Sequence, residues 1–389
     1  IFDFLLQGQY YYNNNDASKA AFLTLDNIIY GGIYDHIEGG FARYTVDNKW
    51  RIPHFEKMLY DQAGIVSLLS NAYKITSKDV YKNRIIETLK FIDLKMSDKE
   101  GGFYASFDAD SEGEEGKYYA WKSQEIDQLI PDPILNKTAK TYYNVVQRGN
   151  WEKEKNVLYV DRNIEKTAKA LHVDLKKLSE QLIQINTILK NARDKRIPPT
   201  RDDKILTSWN TYMSKAYIDA YTATGEKQFL DRARKNLDFI TSKVIQKDGL
   251  LFRNYKNGKA SINGFLDDYA FSVQALIALY QVSFEEKYLN SAKLISDYAI
   301  KHFFDTNTQT FYFSDDSNSK LISRKIETLD NNLPASTAVM SQSLYILGDL
   351  LYNEDYKTKA KNSLARVCTE INRSQSPEFY ASWLKFANL

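Results

Sequence analysis

Cysteine is almost absent from this sequence, in which Cys368 is the only one among 389 residues. A single thiol excludes an internal disulfide framework and a Cys-x-x-Cys redox pair within the chain. We expect Cys368 to be a small buried residue of the last helix. No apolar run approaches the roughly 18 residues that a membrane-spanning helix needs. The formal net charge of +2 is too small to favour a protein that binds nucleic acid through its phosphates.

The beginning of the chain offers no targeting signal. There is no initiator Met, and no basic segment precedes an apolar core with a small-residue cleavage site. The stretch from Ile1 to Tyr12 is typical of the apolar part of a helix. We therefore expect a cytoplasmic protein whose natural N-terminal part lies upstream of this chain.

A helical period recurs in four apolar segments, which begin near residues 61, 208, 267 and 336. Each is followed by a short polar turn, at 76–78, 224–226, 283–285 and 353–355, and then by a more amphipathic helix. A helix that is apolar nearly all round is a buried one. The pattern predicts helical hairpins, each with an inner and a half-exposed outer helix, in a ring where each pair packs on its neighbours.

Long connections join one hairpin to the next, and they contain Gly and alternating aromatic residues, as in DGLLFRNYKNGKASINGF. Several are predicted to form small β-hairpins. Because every long connection precedes an inner helix, all of them fall at one end of the ring, where the helix N-termini expose free N–H groups. We expect function at this long-loop end.

These patterns predict an all-α fold, a single (α/α)6 barrel over residues 1–389 with small β-hairpins in the long loops. Its inner helices are expected to begin near residues 54, 208, 267 and 336. The less regular stretch 123–200, with helices around 123–144 and 163–195, is interpreted as the remaining hairpins with an insertion.

Five segments resemble a known family. They are GGIYDHIEGGFARYTVDNKWRIPHFEKMLYDQA from Gly31, GGFYASFDADSEGEEGKYYAW at 101–121, GNWEKEKNVLYV at 149–160, DDKILTSWN at 202–210 and GFLDDYAF at 264–271. Together they resemble the thioredoxin-domain-containing proteins related to spermatogenesis-associated protein 20. The resemblance implies an (α/α)6 barrel similar to N-acylglucosamine 2-epimerases and six-hairpin glycosidases. It also implies a thioredoxin-like partner domain, which this chain lacks. Thr211 and the PAST segment at 334–337 depart from the expected family pattern.

The densest group of chemically active side chains lies early in the chain, at His36, Trp50, Arg51, His54, Glu56 and Asp61. Pro53 suits the first turn of a helix, which would place His54 and Asp61, seven residues apart, on one stripe. A histidine that titrates near neutrality suits proton transfer at a sugar carbon. The alternative is structural: His54 binds a loop, and Asp61 pairs with Arg51 or Lys57.

An acidic run, DADSEGEEG, begins at Asp108. The Asp-x-Asp-x-Glu-Gly spacing from Asp108 resembles the start of a calcium-binding loop. Tyr119, however, occupies the twelfth position, where an EF-hand needs Glu, so no metal site is expected. Asp108 and Asp110 are candidates for hydrogen bonds to sugar hydroxyls, whereas Glu114 and Glu115 suit a solvated turn.

Two further groups stand at the starts of inner helices. They are Asp203, Lys204, Trp209 and Asn210 before and in the helix near 208, and Asp267, Asp268 and Tyr269 in the helix near 267. Acidic residues favour helix starts through capping alone. Carboxylates that converge from different helices are also what glycoside hydrolysis requires.

Two enzymatic functions and one binding function remain open. A sugar epimerase or isomerase would use His54 with a second acid or base; a glycosidase would use two carboxylates such as Asp110 and Asp268. The third is a non-catalytic barrel that binds a ligand or partner for a thioredoxin-like domain. No cofactor is implied. We expect His54, Asp61, Asp203 and Asp268 to meet in one pocket, with Trp50, Trp209 and Tyr269 along its mouth.

Overall fold

The computed structural model describes residues 1–161, 164–316 and 323–389. Fifteen α-helices in these ranges form most of the molecule, together with two short 3-10 helices at Glu152–Glu154 and Pro377–Tyr380. The α-helices are α1 (Phe2–Tyr12), α2 (Asn15–Tyr30), α3 (Leu59–Thr76), α4 (Asp79–Lys95), α5 (Ser123–Leu129), α6 (Pro133–Tyr142), α7 (Ile164–Leu171), α8 (Leu175–Arg193), α9 (Thr207–Thr224), α10 (Lys227–Lys243), α11 (Leu266–Ser283), α12 (Glu286–Phe303), α13 (Ser336–Leu351), α14 (Glu354–Arg373) and α15 (Ala381–Ala387).

Six of these helices form a closed inner ring. In order around the ring, α1, α3, α9, α11, α13 and α15 each contact the next, and α15 contacts α1. The closure includes a hydrogen bond from the Tyr12 hydroxyl to Asn388 Oδ1 at 2.5 Å and an ion pair between Lys385 and Asp3. Helices α2, α4, α10, α12 and α14 pack outside their hairpin partners. The predicted (α/α)6 ring is confirmed, as are the inner helices that begin near residues 208, 267 and 336.

Two-residue turns join each inner helix to its outer partner. In all five turns the residue after the inner helix is left-handed: Asn13, Ser77, Gly225, Phe284 and Tyr352, with φ between 50° and 76°. This conformation ends a helix sharply and is most favourable for Gly and Asn. Because the five turns are alike, the inner helices run in the same direction, and their N-termini share the end that carries the long loops.

Short strands occupy the long loops, as predicted. They are β1 (Tyr44–Thr45), β2 (Pro53–His54), β3 (Lys57–Met58), β4 (Ser106–Phe107), β5 (Asp110–Ser111), β6 (Glu114–Glu115), β7 (Trp121–Lys122), β8 (Lys155–Asn156), β9 (Arg201–Asp202), β10 (Ile205–Leu206), β11 (Phe252–Lys256), β12 (Lys259–Asn263), β13 (Phe304–Asp305) and β14 (Thr310–Phe311). Local hairpins join β1 to β2, β5 to β6, β11 to β12 and β13 to β14, all antiparallel. Two three-stranded sheets, β3-β4-β9 and β10-β11-β12, tie distant loops together.

The helix predicted to begin near residue 54 begins at Leu59 instead. Pro53 and His54 pair with Thr45 and Tyr44 in β1–β2, and Lys57 and Met58 pair with β4. These pairings engage the backbone in sheets, so tertiary context overrides the local helix signal of Pro53. His54 and Asp61 therefore do not share a helical stripe.

The stretch 123–200 is not part of the ring. Helices α5, α6, α7 and α8 pack mainly on one another and form a second small core with Trp121, Ile126, Tyr143 and Ile185. The remaining ring positions are filled by α1 and α15. Residue 163 of the second predicted helix and residues 317–322 of the long loop before α13 lie outside the described residues.

Two further features are the exposure of the single cysteine and the length and polarity of the helices. Cys368 on α14 is exposed, so the expectation of a buried residue is wrong. Among the described residues, no helix combines the length and apolar character needed to cross a bilayer.

Candidate functional site

The strand segment from Pro53 to Met58 separates two groups of side chains at the long-loop end. Successive residues of an extended chain point to opposite sides. Phe55 and Lys57 are buried on one side, where Phe55 stacks on Tyr119. His54 and Glu56 are half-buried on the other side, toward the start of α3.

The second side carries what we call the Asp61 cluster, which comprises Arg43, His54, Glu56, Tyr60 and Asp61. Arg43 Nη1 lies 3.2 Å from Glu56 Oε2, and His54 Nε2 lies 3.8 Å from the same oxygen. Because Glu56 contacts Arg43, it ties the strand segment to the chain just before β1. Tyr60 and Asp61 are contributed by the first turn of α3.

Asp61 is the unusual member of the cluster. Its Oδ2 is buried and forms no hydrogen bond within the described residues. Burial, with a smaller contribution from the Glu56 carboxylate, raises the pKa of Asp61 to about 7, although Arg43 opposes this rise. A carboxyl group with such a pKa can either donate or accept a proton near neutrality.

Aromatic side chains surround the cluster. The ring of Tyr44 stacks on His54 with 5.0 Å between centroids, and Tyr60 contacts Trp209 edge to face at 4.8 Å. Burial, then the Asp61 carboxylate, raises the pKa of Tyr60 to about 12. Tyr44 thus leaves ring surface exposed beside His54, whereas Tyr60 is itself buried and packs against Trp209.

His54 also connects the cluster to the acidic hairpin β5–β6. Its Nδ1 lies 2.7 Å from Glu115 Oε1. Glu115 is exposed, as expected for a solvated turn, and this contact also ties the hairpin to β2. In the same hairpin Asp108 and Asp110 are exposed. Asp110 pairs with Glu115 through the backbone register.

Asp268 occupies a different environment. It is fully buried; its Oδ1 accepts from the Ser208 N–H at 3.0 Å, and its Oδ2 accepts from the Phe265 N–H at 3.0 Å and from Arg253 at 2.9 Å. Burial and then the Asp267 carboxylate raise the pKa of Asp268 above its usual range, while Arg253 and the two N–H groups oppose the rise. All its contacts are internal, so the prediction that Asp268 lines a shared pocket is wrong.

Three other predicted site residues also serve the scaffold. Asn210 is fully buried and bonds the backbone N–H and carbonyl of Phe103. Asp267 pairs with Arg253 at 3.0 Å. Tyr269 is fully buried, and its ring stacks on Tyr298 of the outer helix α12, so it does not line the mouth. Burial makes each of them inaccessible to a ligand in this structure.

Asp203 and Lys204 are exposed and paired on the surface. Asp203 contacts Lys256 at 2.5 Å, and Lys204 contacts Asp202 at 3.1 Å. Neither contacts the Asp61 cluster. The four residues predicted to meet in one pocket are therefore divided: His54 and Asp61 are linked through Glu56, while Asp203 and Asp268 lie elsewhere.

Trp50 and Arg51 lie in the loop that connects β1 to β2. Trp50 has a left-handed backbone, and its carbonyl accepts from the Gly32 N–H at 2.8 Å. A Cβ at Gly32 would lie 1.9 Å from the Arg51 carbonyl, so only glycine permits this approach. The Arg51 guanidinium lies over the Tyr159 ring, 4.6 Å from its centroid.

His36 lines a small cavity on the far side of the strand segment. Its Nε2 donates to the Gly31 carbonyl at 2.9 Å, and burial lowers the pKa of His36 to about 3. The same cavity is lined by Asp35, Lys57 and Arg193, whose charged ends form a buried ion-pair network at 2.9 Å. His36 is therefore a neutral ring beside a structural network.

Sequence reasoning missed Arg43 and Tyr60 and the network of Asp35, Lys57 and Arg193. Arg43 is brought to Asp61 by the return of the chain through β1 and β2, where the Arg43 N–H donates to the Glu56 carbonyl at 2.9 Å. Recognition of that hairpin would have found Arg43. Arg193 comes from α8, 158 residues after Asp35, and no local signal connects the two.

Known proteins resemble this chain in sequence along almost its whole length. It is 33% identical to an uncharacterised protein of Caenorhabditis elegans over 95% of this chain and 55% of that protein. It is 29% identical to human spermatogenesis-associated protein 20 over 96% of this chain and 52% of that protein. The chain thus spans about half the length of the curated relatives it matches. No protein-family model matches it.

Solved structures with the same architecture include two carbohydrate-active enzymes. Cellobiose 2-epimerase from Spirochaeta thermophila superposes with a TM-score of 0.56 at 12% identity, over 91% of this chain and 70% of that one. A family 76 glycoside hydrolase (mannosidase) from Bacteroides thetaiotaomicron gives a TM-score of 0.52 at 13% identity, over 96% and 73%. At these identities the likeness establishes the (α/α)6 fold. The chain is thus similar in sequence to spermatogenesis-associated protein 20 and has the fold of sugar epimerases and six-hairpin glycosidases.

Proposed function

We propose that the long-loop end of the barrel binds a carbohydrate and carries out acid–base chemistry on it, with Asp61 as the group that transfers the proton. The observation that carries this proposal is the Asp61 carboxyl group, which is buried at Oδ2, has no hydrogen-bond partner there, and has a pKa of about 7. Strongly perturbed carboxyl groups of this kind are concentrated at active sites.

Hydrolysis of a glycosidic bond is the reaction that this geometry supports best. It requires one carboxylic acid that protonates the leaving oxygen and a second carboxylate that acts as base or nucleophile. Asp61 supplies the acid, since it keeps its proton near neutrality. Glu56 supplies the second carboxylate, and its ion pair with Arg43 gives it a different environment from that of Asp61. Two carboxyl groups whose environments differ in this way are the usual basis for separate acid and base roles.

The aromatic rings at the cluster suit a sugar. Binding sites for small ligands combine aromatic walls with a few placed polar groups. Tyr44 is 48% exposed and offers ring surface beside His54, and the half-buried Trp209 contacts Tyr60. The two structural neighbours are named as a cellobiose 2-epimerase and a mannosidase. Cellobiose and mannose-containing sugars are therefore the ligands for a first test.

Epimerisation is a second candidate, because His54 is half-buried, close to Glu56, and suited to proton exchange at a carbon beside a carbonyl. It needs a second acid or base, which Asp61 would provide. His36 does not serve, since its pKa is held near 3 in another cavity.

The test begins with thermal shift in the presence of cellobiose, mannobiose and their monosaccharides, because a ligand that binds the folded state raises the melting temperature. Turnover is then followed in two assays, release of reducing sugar for hydrolysis and incorporation of solvent deuterium for epimerisation. Asp61→Asn is expected to abolish turnover, while Asp231→Asn on the outer helix α10 is expected to leave it unchanged. Ligand binding with full activity in Asp61→Asn would contradict the proposal.

A non-catalytic barrel would bind a sugar or a partner without turnover. The relatives are about twice as long as this chain, and the family resemblance implies a thioredoxin-like domain among the partners. Binding of that domain to this chain, with no turnover of any sugar, would favour this role over the enzymatic one.

A further inference from the structure

A groove begins beside β2 and extends to Arg196. Two depressions form it: one begins at Pro53 and Glu115, and the other ends at Arg196. Both are lined by Glu114, Lys153 and Lys155, so they adjoin the same side chains. We call them together the basic groove. Its near end adjoins His54, which contacts Glu115 at 2.7 Å.

The far depression of the groove has an excess of positive charge. Its lining includes six cationic side chains, at Lys117, Lys122, Lys153, Lys155, Lys195 and Arg196, and three carboxylates, at Glu112, Glu114 and Glu125. One carboxylate, Glu114, is shared by Lys153 at 2.9 Å and Lys155 at 2.6 Å. Cations in a concave surface raise the local concentration of anionic ligands.

Two of these cations remain available. Lys122 and Lys195 are exposed, and neither forms an ion pair with any described residue. Lys117 pairs with Glu112 at 2.8 Å, and Arg196 pairs with Glu125 at 2.6 Å. Lys122 and Lys195 therefore retain their full capacity for an anionic group from outside the chain.

The floor of the groove is rigidly built. The Arg196 guanidinium lies 3.9 Å from the centre of the Trp121 ring and donates to the carbonyls of Tyr118 and Ala120 at 2.8 and 2.9 Å. At the near end the half-buried ring of Trp151 lines the depression. Gly116 lets the backbone pass close to the Trp151 ring, since a Cβ at residue 116 would lie 2.6 Å from that ring. An aromatic ring at one end and free lysines at the other match a chain of sugar rings with charged substituents.

We propose that the basic groove binds an acidic oligosaccharide, whose carboxylate or sulfate groups contact Lys122 and Lys195 and whose other end reaches the Asp61 cluster. This assignment of the substrate class rests on the proposed carbohydrate function of that cluster. Trp151 stacks on a sugar ring at the near end of the groove. Exposed charge pairs are screened by salt, so binding weakens as ionic strength rises.

Calorimetric titration of the full chain with three tetrasaccharides tests this inference. The probes are tetragalacturonate, which carries carboxylates, a heparin-derived tetrasaccharide, which carries sulfates, and neutral cellotetraose. At least one acidic probe is expected to bind tenfold or more tightly than cellotetraose at low salt, and the stronger of the two identifies the anionic group. Failure of both acidic probes to bind, or equal binding of cellotetraose, would overturn the inference.

Variants locate the binding. The double variant Lys122→Ala/Lys195→Ala is expected to weaken binding of the acidic probe by on the order of tenfold. Each exposed charged contact contributes up to about 1 kcal/mol to binding, which is a fivefold effect on the dissociation constant. The control Lys90→Ala/Lys301→Ala removes two exposed lysines from the outer helices α4 and α12 and is expected to change binding less than twofold. An equal loss in the control would overturn the inference, as would tighter binding of a 12-nucleotide RNA than of either acidic probe.

Asp61→Asn separates this inference from the proposed function. It is expected to bind the acidic probe as the unaltered chain does, because Asp61 lies beyond the charged part of the groove, yet to lose turnover. If neutral sugars are turned over in a reaction that needs Asp61 but the acidic probes do not bind, the proposed role of the basic groove is refuted and that of Asp61 is not. Lysine-dependent binding of acidic probes without any turnover would refute the catalytic role of Asp61 and leave the groove as a binding site.

Discussion

Asp268 of α11 accepts a hydrogen bond at 3.0 Å from the backbone N–H of Ser208 in the first turn of α9. Its other oxygen caps its own helix through the Phe265 N–H and holds Arg253 at 2.9 Å. One buried carboxylate thus fixes two neighbouring inner helices at the long-loop end. A carboxylate that seemed suited to catalysis from its position in the sequence instead stabilises the ring.

Replacing Asp268 by Ala should therefore destabilise the fold. The variant leaves the N–H groups of Ser208 and Phe265 without their acceptor and removes one of the two carboxylates that Arg253 contacts. Breaking a buried charged contact costs about 3–5 kcal/mol. Urea denaturation should show the free energy of unfolding reduced by about 3 kcal/mol or more. Asp231→Ala, at an exposed site on α10, serves as the control. A loss below about 1 kcal/mol in Asp268→Ala would contradict the structural role.

Asp35 should make stability depend on acid pH. Burial raises its pKa, but Arg193 and Lys57 outweigh burial and hold the pKa below its usual range. The unfolded chain therefore takes up a proton at about pH 4, where folded Asp35 does not, so its contribution is present above pH 4 and is lost below it. Asp35→Asn is expected to be less stable than the unaltered chain at pH 6, with the difference shrinking toward pH 3. A constant difference across that range, measured by urea denaturation, would be inconsistent with this assignment.

The left-handed residues after the inner helices give a matched pair of variants. Tyr352 is 94% exposed at φ 54°, whereas Gly225 occupies the equivalent position after α9 at φ 76°. A side chain at left-handed φ costs roughly 1 kcal/mol. We expect Tyr352→Gly to raise the melting temperature and Gly225→Ala to lower it. The same sign of change in both variants would refute the proposed equivalence of the two turns.

The ring positions of α3, α9, α11 and α13 were predictable from the sequence because they follow from local patterns, whereas the same patterns assign those filled by α1 and α15 to the stretch 123–200. Apolar helices, two-residue turns and long Gly-rich connections recur, and each is encoded within about 60 residues, as between Trp209 and Asp268. The candidate site was predictable only in part. His54, Glu56 and Asp61 are close in sequence, but Arg43 reaches them through a hairpin whose pairing competes with a helix signal at Pro53. Contacts such as Arg193 with Asp35 depend on tertiary packing alone.

Asp61 should reduce stability when it ionises. Its folded pKa of about 7 lies above the value of about 3.9 for an unfolded chain, so the unaltered protein loses stability as pH rises from 4 to 7. Asn has the same shape and does not ionise. Asp61→Asn should therefore be more stable than the unaltered chain at pH 8, by about 1–2 kcal/mol, and no more stable at pH 4. Lower stability of the variant at pH 8 would mean that the carboxylate is needed for structure.

The titration of Asp61 itself tests the central claim most directly. Carboxyl ¹³C resonances of aspartate-labelled protein can be followed from pH 3 to pH 9, with the Asp61 signal assigned by its absence in Asp61→Asn. We predict a midpoint near pH 7, and a higher midpoint in Arg43→Gln, because the guanidinium of Arg43 favours the ionised carboxylate. A midpoint near pH 4 in the unaltered protein would show that Asp61 is ionised at neutrality and would contradict its role as a proton donor.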